Sequence, residues 1–327
     1  MQAPIHLYYK CWTNPNFVEA KPLKKPLIGV LPVAPTVFHD DGSLDLEGQR
    51  RCMDLMVDQG SDAICILANF SEQFVMTDEE RRVTTEACLQ HVAGRVPVIV
   101  TCSHFSTQIA AARARHAADH GAAMLMLMPP YHGAALQADE GAMIEHFTAI
   151  AKASGLPIMV QDAPLSGVKL SVPFLVRLAQ DVPLVSYFKI EVAFAAQKLR
   201  DLISAGGKNI VGPFDGEESI TLMADLDAGA TGSMCSAMIP DLIKPIITAH
   251  SGGDRATAAS LYKRILPLIN YENRQCGLRA AKAVMMAGGV IKSDHVRHPL
   301  RPLHPETRKG LLELAREVNP LALNWGK

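Results

Sequence analysis

The feature that most constrains the fold of this 327-residue chain is an alternation of short apolar runs with amphipathic segments. From residue 27 onward the alternation repeats roughly every 30 residues, the length of one strand–helix–strand unit of a parallel sheet. The apolar runs are near-continuous, as expected for parallel strands that are buried on both faces. The eight predicted strands cover residues 28–33, 63–68, 97–101, 123–128, 157–161, 185–189, 210–214 and 231–235. Eight repeats predict closure into a (β/α)₈ TIM barrel, an α/β fold.

Helix signals separate the predicted strands. Thr77 is a predicted N-cap, and Glu80 completes a capping box for a helix that runs to His91. Similar patterns cover residues 46–58, 106–120 and 140–153, each ending near a glycine. An open doubly wound sheet is the alternative, but the first predicted strand is not followed by the glycine-rich turn of its dinucleotide-binding form.

The chain divides into three predicted parts: an N-terminal extension (1–26), the barrel (27–238) and a C-terminal helical appendage (239–327). Helical patterns at 240–250, 257–269, 274–286 and 306–318, with no predicted strand among them, indicate helices that pack on the barrel and serve oligomer contacts. The first 26 residues lack the apolar centre of a signal peptide.

Composition excludes several classes of function. A net charge of −1 without a Lys/Arg block argues against nucleic acid or an anionic membrane as the partner. No apolar run reaches membrane-spanning length. The seven cysteines show no CxxC pair, which indicates a reducing compartment. We therefore expect a soluble cytoplasmic protein.

Lys189 stands at the carboxyl end of the sixth predicted strand. A lysine is rarely buried without a partner or a purpose. Burial lowers the pKa of an amine, and a neutral amine can form an imine with a carbonyl substrate. The alternative is a lysine that extends into solvent or pairs with Glu191.

In a barrel of this kind, active groups lie at the carboxyl ends of the strands. The polar and aromatic candidates at these positions are Asn69, Phe70, Ser71, Glu72, Cys102, Ser103, His104, Tyr131, His132, Gln161, Asp162, Lys189, Asp215, Glu217, Ser233 and Ser236. Lys189 is the only lysine among them. A lysine with a tyrosine and hydroxyl groups suits imine formation, with Tyr131 transferring protons to and from the carbinolamine.

Several motifs occur in an order that resembles one known superfamily. They are the segment at Pro35, the run 69–72 where that superfamily carries Gly-Thr-Thr-Gly-Glu, and the runs 77–81, 94–98, 130–131 and 229–232, with the strand that ends in Lys189. The chain resembles the dihydrodipicolinate synthase/N-acetylneuraminate lyase superfamily over about residues 27 to 290. The resemblance implies a (β/α)₈ barrel, an imine on Lys189, Tyr131 as proton carrier, a 2-keto acid substrate, no metal or organic cofactor, and a homotetramer.

The chain departs from that superfamily at the predicted site. Asn69 and Phe70 replace two hydroxyl residues that commonly bind the substrate carboxylate. Gln161 begins the run Gln-Asp-Ala-Pro, which replaces Tyr-Asn-x-Pro. The arginine of members that act on aspartate semialdehyde is replaced by Leu165 and Ser166, so dihydrodipicolinate synthesis is not expected.

A second set of runs, at 65–74, 129–133, 161–164, 187–191, 215–218 and 268–275, is similar to the sugar-acid dehydratases of the superfamily. The resemblance implies loss of water from 2-keto-3-deoxy-L-arabonate to give 2,5-dioxopentanoate. Lys189 then forms the imine, with Tyr131 and Glu72 as its catalytic partners. The substrate-binding residues are predicted to be Asn69, Phe70, Ser71, His104, Gln161, Asp215 and Ser233.

Other interpretations of these residues stay open. The same imine serves an aldolase that cleaves a 2-keto-3-deoxy sugar acid to pyruvate and an aldehyde, and a non-catalytic binding barrel is a third reading. Glu72 and His104 can be structural residues of loops. His116 and His120 have the i, i+4 spacing of a zinc pair, but without an obvious third ligand they indicate a solvated helix face, and no metal site is predicted.

Overall fold

The computed structural model describes residue 23, residues 25–133 and residues 136–327. Most of the predicted N-terminal extension, including Cys11, lies outside the described residues. The strands of the main sheet are β1 (Gly29–Val30), β2 (Ile64–Ile66), β3 (Val98–Thr101), β4 (Met124–Leu127), β5 (Ile158–Asp162), β6 (Val185–Ile190), β7 (Gly212–Asp215) and β8 (Gly232–Ser233). All pairings in this sheet are parallel, in the order β1-β8-β7-β6-β5-β4-β3-β2.

Hydrogen bonds beyond β1 close the sheet onto β2. Val33 forms parallel bridges to Cys65 on one side and to Ser236 on the other. The amide of Ala34 donates to the Cys65 carbonyl at 2.8 Å, and the Cys65 amide donates to the Pro32 carbonyl at 2.9 Å. The predicted (β/α)₈ barrel is therefore confirmed. β1 is shorter than the predicted run 28–33, and Pro32 within that run has no amide hydrogen for a sheet hydrogen bond.

The helices follow the strands as the patterns predict. They are α1 (Leu46–Asp58), α2 (Asp78–Val92), α3 (Thr107–Asp119), α4 (Glu140–Ser154), α5 (Val172–Asp181), α6 (Ala195–Gly206), α7 (Leu222–Asp227), α8 (Pro240–Ser251), α9 (Arg255–Tyr271), α10 (Arg279–Ala287) and α11 (Pro305–Val318). The capping box of α2 is confirmed. The Glu80 amide donates to Thr77 Oγ1 at 3.2 Å, and the Thr77 amide donates to Glu80 Oε2 at 2.9 Å.

Two hydrophobic cores fix the direction of the strand side chains. One core fills the barrel interior and includes Met126, Met159, Tyr187 and Phe214. The other lies between the strands and the helices, and includes Phe188 and Ile190 of β6. Because side chains alternate along a strand, Lys189 shares the inward face of β6 with Tyr187. Its amine therefore points into the barrel at the carboxyl end.

The C-terminal helices pack on the barrel and on one another. α8 follows β8 and contacts β1, so it takes the place of the eighth barrel helix, while α9 contacts α8 and α11. Between α9 and α10 the chain forms one π-helical turn, Glu272–Cys276, followed by Gly277 at φ +58°. The helix predicted from residue 274 therefore begins later, at Arg279. The division of the chain at 26/27 and 238/239 stays a prediction.

Tyr131–His132 and Leu136–Gln137 form a short antiparallel hairpin after β4, which the sequence did not predict.

Among the helices of the described residues, none combines the length and apolar character that a membrane crossing requires.

Candidate active site

A cavity of about 340 Å³ opens at the carboxyl ends of the barrel strands, and Lys189 is part of its lining. Three other predicted residues line the same cavity: Asn69 and Phe70 in a 3₁₀ turn after β2, and Gln161 on β5. Gln161 is paired in register with Lys189 on the neighbouring strand. The inward alternation of β5 and β6 thus brings the amide and the amine together.

Two carboxylates surround the Lys189 amine. Nζ contacts the carboxylate of Glu191 and lies 3.9 Å from Oε1 of Glu218. Burial by itself lowers the pKa of Lys189, but the charges of Glu191 and Glu218 outweigh it and raise the pKa to about 12. The expectation that burial gives a neutral lysine is therefore wrong. Lys189 rests as an ammonium ion and needs a proton acceptor to become a nucleophile, and Glu191 is in contact to serve as one.

Glu218 differs from Glu191 in its surroundings. Its side chain is buried, and this burial raises its pKa well above the ordinary range, against the opposing effect of Lys189. Glu218 is therefore a candidate proton donor at neutral pH. Its backbone is left-handed at φ +45°, as is that of Ser219 at φ +72°. Two successive non-glycine residues in this region are strained, which is common at functional sites.

The strained segment Glu218–Ser219 is held in place by hydrogen bonds from neighbouring residues. Ser219 Oγ and Ser233 Oγ lie 2.7 Å apart, and the hydroxyl of Tyr262 donates to the Ser219 carbonyl at 3.1 Å. Ser233 also donates a hydrogen bond to Asp215, and burial raises the pKa of that carboxyl well above its usual range. Asp215 and Ser233 thus support the loop that carries Glu218.

Gln161 fixes the Glu191 carboxylate. Its Nε2 donates to both oxygens of Glu191, at 3.2 Å and 3.1 Å. Its own Oε1 is buried without a hydrogen-bond partner among the described residues. A buried carbonyl oxygen without a partner costs free energy, so Gln161 holds Glu191 with its amide nitrogen and keeps an oxygen that can accept a further hydrogen bond.

The π-helical turn after α9 contributes to the opposite wall of the cavity. Asn273 and Arg274 of this turn line the cavity together with Glu217, and Arg274 Nη2 lies 3.4 Å from Glu217 Oε1. Single π-helical turns are frequent at functional sites, because the extra residue redirects side chains. Arg274 brings a cation close to a cavity otherwise rich in carboxylates.

Glu72, predicted as catalytic, does not line the cavity. Its buried carboxylate forms an ion pair with Lys282 and accepts a hydrogen bond from the Arg297 amide at 3.0 Å. Ser71 is also occupied within its loop, where its hydroxyl donates to the Ala34 carbonyl at 2.5 Å. Their polar groups tie the loop after β2 to distant segments, which favours the structural alternative, while the catalytic role of Glu72 and the substrate contact of Ser71 stay predictions.

Tyr131 and His104 also stand outside the cavity lining. Tyr131 begins the hairpin after β4, and burial raises the pKa of its phenol. His104 Nδ1 accepts a hydrogen bond from the Ser106 amide at 2.9 Å at the start of α3. Burial lowers the pKa of His104, so it is a neutral cap of the loop at pH 7. The hydrogen bond of His104 favours a structural role for that residue, and the predicted role of Tyr131 in proton transfer stays a prediction.

The sequence did not predict four polar residues of the cavity: Glu191, Glu218, Asn273 and Arg274. A signal existed for each of them, because all four lie within the runs 187–191, 215–218 and 268–275 that carry the resemblance to sugar-acid dehydratases. Glu191 was considered only as a pairing partner of Lys189.

The fold and the cavity define a (β/α)₈-barrel enzyme built around one buried amine and its carboxylate partners. The chain belongs to the dihydrodipicolinate synthetase family, whose family model matches residues 26–318.

Individual relatives agree with this assignment. The chain is 56% identical over 297 residues to an L-2-keto-3-deoxyarabonate dehydratase of Azospirillum brasilense, covering 91% of this chain and 96% of that protein. It is 30% identical over 289 residues to 4-hydroxy-tetrahydrodipicolinate synthase 2 of Streptomyces coelicolor, covering 88% and 93%. The crystal structure of a putative dihydrodipicolinate synthetase from Pseudomonas aeruginosa superposes with a TM-score of 0.82 at 30% identity, covering 89% of this chain and 99% of that one.

Proposed function

We propose that the protein is a hydro-lyase that converts 2-keto-3-deoxy-L-arabonate to 2,5-dioxopentanoate through an imine on Lys189. The observation that carries the proposal is the cluster of Lys189, Glu191 and Glu218 at the carboxyl ends of the strands. The relative of 56% identity that bears the name of this activity supports the choice of substrate.

Imine formation begins with a proton transfer. Glu191 accepts a proton from the Lys189 ammonium, and the free amine attacks the C2 ketone of the substrate. The carbinolamine then loses its hydroxyl as water, as Glu191 returns the proton that it took from Lys189 and becomes a carboxylate again. Tyr131 does not line the cavity, so the proposal assigns these transfers to Glu191 and Glu218.

Dehydration follows from the positive charge on the iminium nitrogen. Glu191 removes a proton from C3, and the electron pair moves into the C2–C3 bond to form an enamine. The C4–O bond then breaks as Glu218 donates its proton, and water leaves. Tautomerisation moves hydrogen from the C5 carbinol to the carbon chain, which makes C5 an aldehyde. Hydrolysis of the imine restores Lys189, so the net change is the loss of one water.

The proposed route has consequences for the cofactor requirement and for the residues that contact the substrate. The iminium nitrogen accepts the electron pair from C3, so the proposed route uses no metal or organic cofactor. Asn69 and Phe70 are proposed to face the carboxylate end of the substrate. Gln161 Oε1 and the Arg274 guanidinium are proposed to bind its hydroxyl groups, because both offer polar atoms to the cavity.

Product analysis tests the proposal. Purified protein and 2-keto-3-deoxy-L-arabonate are expected to give 2,5-dioxopentanoate, and Lys189→Met is expected to abolish the reaction. Lys208→Met, at an exposed position, is the control and is expected to retain activity. Pyruvate and glycolaldehyde as products would show an aldolase instead, and no turnover by the wild type would refute the proposed substrate.

We also propose a homo-oligomer, a tetramer. Large apolar side chains are exposed in the loops after β2, β3, β5 and β6: Phe74, Phe105, Leu165 and Phe194. Exposed apolar residues concentrated at one end of a barrel are typical of a protein–protein contact. Light scattering of the purified protein is expected to give four times the chain mass, and a single chain mass would contradict the proposal.

A cytoplasmic location is proposed from the cysteines. The six cysteines of the described residues are all buried and free, which fits a reducing compartment. Activity in the soluble fraction of lysed cells is the expected result, and activity that sediments with membranes would contradict it.

A further inference from the structure

Three potential metal ligands meet on the outer surface of the barrel, remote in sequence from Lys189. They are Glu86 on α2 and His116 and His120 on or directly after α3, with one donor atom of each lying within 4.8 Å of the others. The two histidines are one helical turn apart and so share a face of α3. The sequence analysis found no third ligand for this pair, and the structure supplies one from the neighbouring helix.

The distances match those around a tetrahedral metal ion. Oε1 of Glu86 lies 3.4 Å from Nε2 of His116 and 3.7 Å from Nε2 of His120. Ligand atoms at about 2.0 to 2.1 Å from a tetrahedral zinc ion are separated from one another by about 3.3 to 3.4 Å. The distance from Glu86 to His116 agrees with this value, and the distance from Glu86 to His120 exceeds it by about 0.3 to 0.4 Å.

Hydrogen bonding orients the imidazole nitrogens for a metal. Nδ1 of His120 lies 2.8 Å from the carbonyl oxygen of His116. A carbonyl can only accept, so Nδ1 donates this hydrogen bond, and Nε2, which lies 3.7 Å from Oε1 of Glu86, is the nitrogen left to bind a metal. This arrangement, in which an outer hydrogen bond fixes the tautomer of a ligand, is typical of metal-binding histidines.

Ion pairing alone explains the cluster of Glu86, His116 and His120 less well than a bound metal ion does. Nε2 of His116 is buried, yet it makes no hydrogen bond with the described residues. Oε1 of Glu86 lies 3.4 Å from Nε2 of His116 and 3.7 Å from Nε2 of His120, longer than the distance of about 2.7 to 3.2 Å in a direct N–H···O hydrogen bond. The ring centroids of the two histidines are 4.2 Å apart, so both rings lie side by side next to Glu86. A cation between the three ligand atoms satisfies the carboxylate and both nitrogens at once.

We propose that Glu86, His116 and His120 bind one Zn²⁺ ion, or another divalent ion of similar softness, as a clamp between α2 and α3. The side chains of Glu86 and His120 are 45% and 39% exposed, so a water molecule completes the coordination from the solvent side. The site takes no part in the chemistry at Lys189.

Zinc binding to the untagged full-length protein tests the proposal, by titration against a chromophoric chelator. The wild type is expected to bind one Zn²⁺ per chain through this cluster. His120→Gln and Glu86→Gln are each expected to weaken that binding at least about 10- to 100-fold, the loss that removal of even an outer partner of a metal ligand causes.

His250→Gln is the matched control. Nε2 of His250 also faces a carboxylate, Oδ1 of Asp227 at 2.9 Å, but no second histidine joins this pair within the described residues. The control is expected to bind zinc as the wild type does. It is also expected to show the same rise in melting temperature on addition of zinc, which His120→Gln and Glu86→Gln lose.

Two results would overturn the proposal. One is the absence of stoichiometric zinc binding by the wild type at millimolar zinc. The other is unchanged zinc affinity in His120→Gln and Glu86→Gln, with circular dichroism showing that both variants are folded.

Discussion

Replacing Glu72 with glutamine is expected to lower the stability of the protein and to leave its turnover nearly unchanged. The side chains of Glu72 and Lys282 are 0% and 1% exposed and form an ion pair. Without the Glu72 charge, the Lys282 ammonium keeps the His295 carbonyl, at 2.8 Å, the ring of Phe38, with Nζ 4.6 Å from its centroid, and the more distant charge of Asp294. A buried cation thus loses the counter-charge that it contacts.

The expected loss of stability in Glu72→Gln follows from the burial of this ion pair. Removing one partner of a buried ion pair costs about 3 to 5 kcal/mol. Glutamine keeps an oxygen that can accept a hydrogen bond from Lys282, so we expect about 3 kcal/mol. At about 2 °C for each kcal/mol in a chain of this size, the melting temperature falls by about 6 °C. Glu72→Gln combined with Lys282→Met leaves no unpaired charge, so the double variant is expected to lose less stability than the sum of the single variants.

Calorimetry and steady-state kinetics at 25 °C test this expectation together. Arg255→Gln removes an exposed partner of Asp227 and is the control, with an unchanged melting temperature expected. An unchanged melting temperature in Glu72→Gln, together with a fall in kcat of more than about 100-fold, would refute the reasoning. It would place Glu72 in contact with substrate, as the sequence predicted.

Gln161→Leu removes two hydrogen bonds to Glu191, so kcat is expected to fall about 100-fold through misplacement of the carboxylate. Kinetics across pH check this, and an unchanged kcat would contradict it. Burial raises the pKa of Glu272 to about 8, from 4.5, so the folded state keeps a proton that the unfolded state loses. Stability is therefore expected to fall as pH rises from about 4.5 to about 8. Melting curves of Glu272→Gln are expected to show a smaller loss of stability over this pH range than those of the wild type. An equal loss of stability in the two proteins would contradict the prediction. In Gly232→Ala a Cβ would lie 2.0 Å from the Gly29 carbonyl oxygen on the neighbouring strand β1. Urea denaturation is therefore expected to show a free energy of unfolding that is lower by about 1 to 3 kcal/mol. An unchanged free energy of unfolding would contradict the close pairing of β8 with β1.

Much of the fold could be predicted from local patterns. The apolar runs locate all eight strands because parallel strands are buried on both faces, and the capping box of α2 involves residues only three positions apart. Strand ends were less predictable. β2 covers Ile64–Ile66 rather than 63–68, and β8 covers Gly232–Ser233 rather than 231–235. Where pairing stops depends on the neighbouring strand and on the closure of the barrel, which no local pattern contains.

The residues of the candidate site also fall into those that local sequence patterns predict and those that they do not. Lys189 and Gln161 could be predicted because strand alternation brings both to the carboxyl end of the barrel. Glu218 and Arg274 lie in a strained loop and a π-helical turn, whose shapes depend on packing against other segments. The ion pair of Glu72 could not be predicted because its partner Lys282 is 210 residues away in sequence. The same limit concealed Glu86 as a third ligand beside His116 and His120.

Borohydride trapping tests the central claim most directly. The protein is incubated with a 2-keto acid and sodium borohydride, digested, and mapped by mass spectrometry. The account predicts one reduced adduct per chain, located on Lys189, and none on Lys282, the other buried lysine of the described residues. Turnover without any trapped adduct, or an adduct located on another lysine, would contradict the proposal that Lys189 forms the imine.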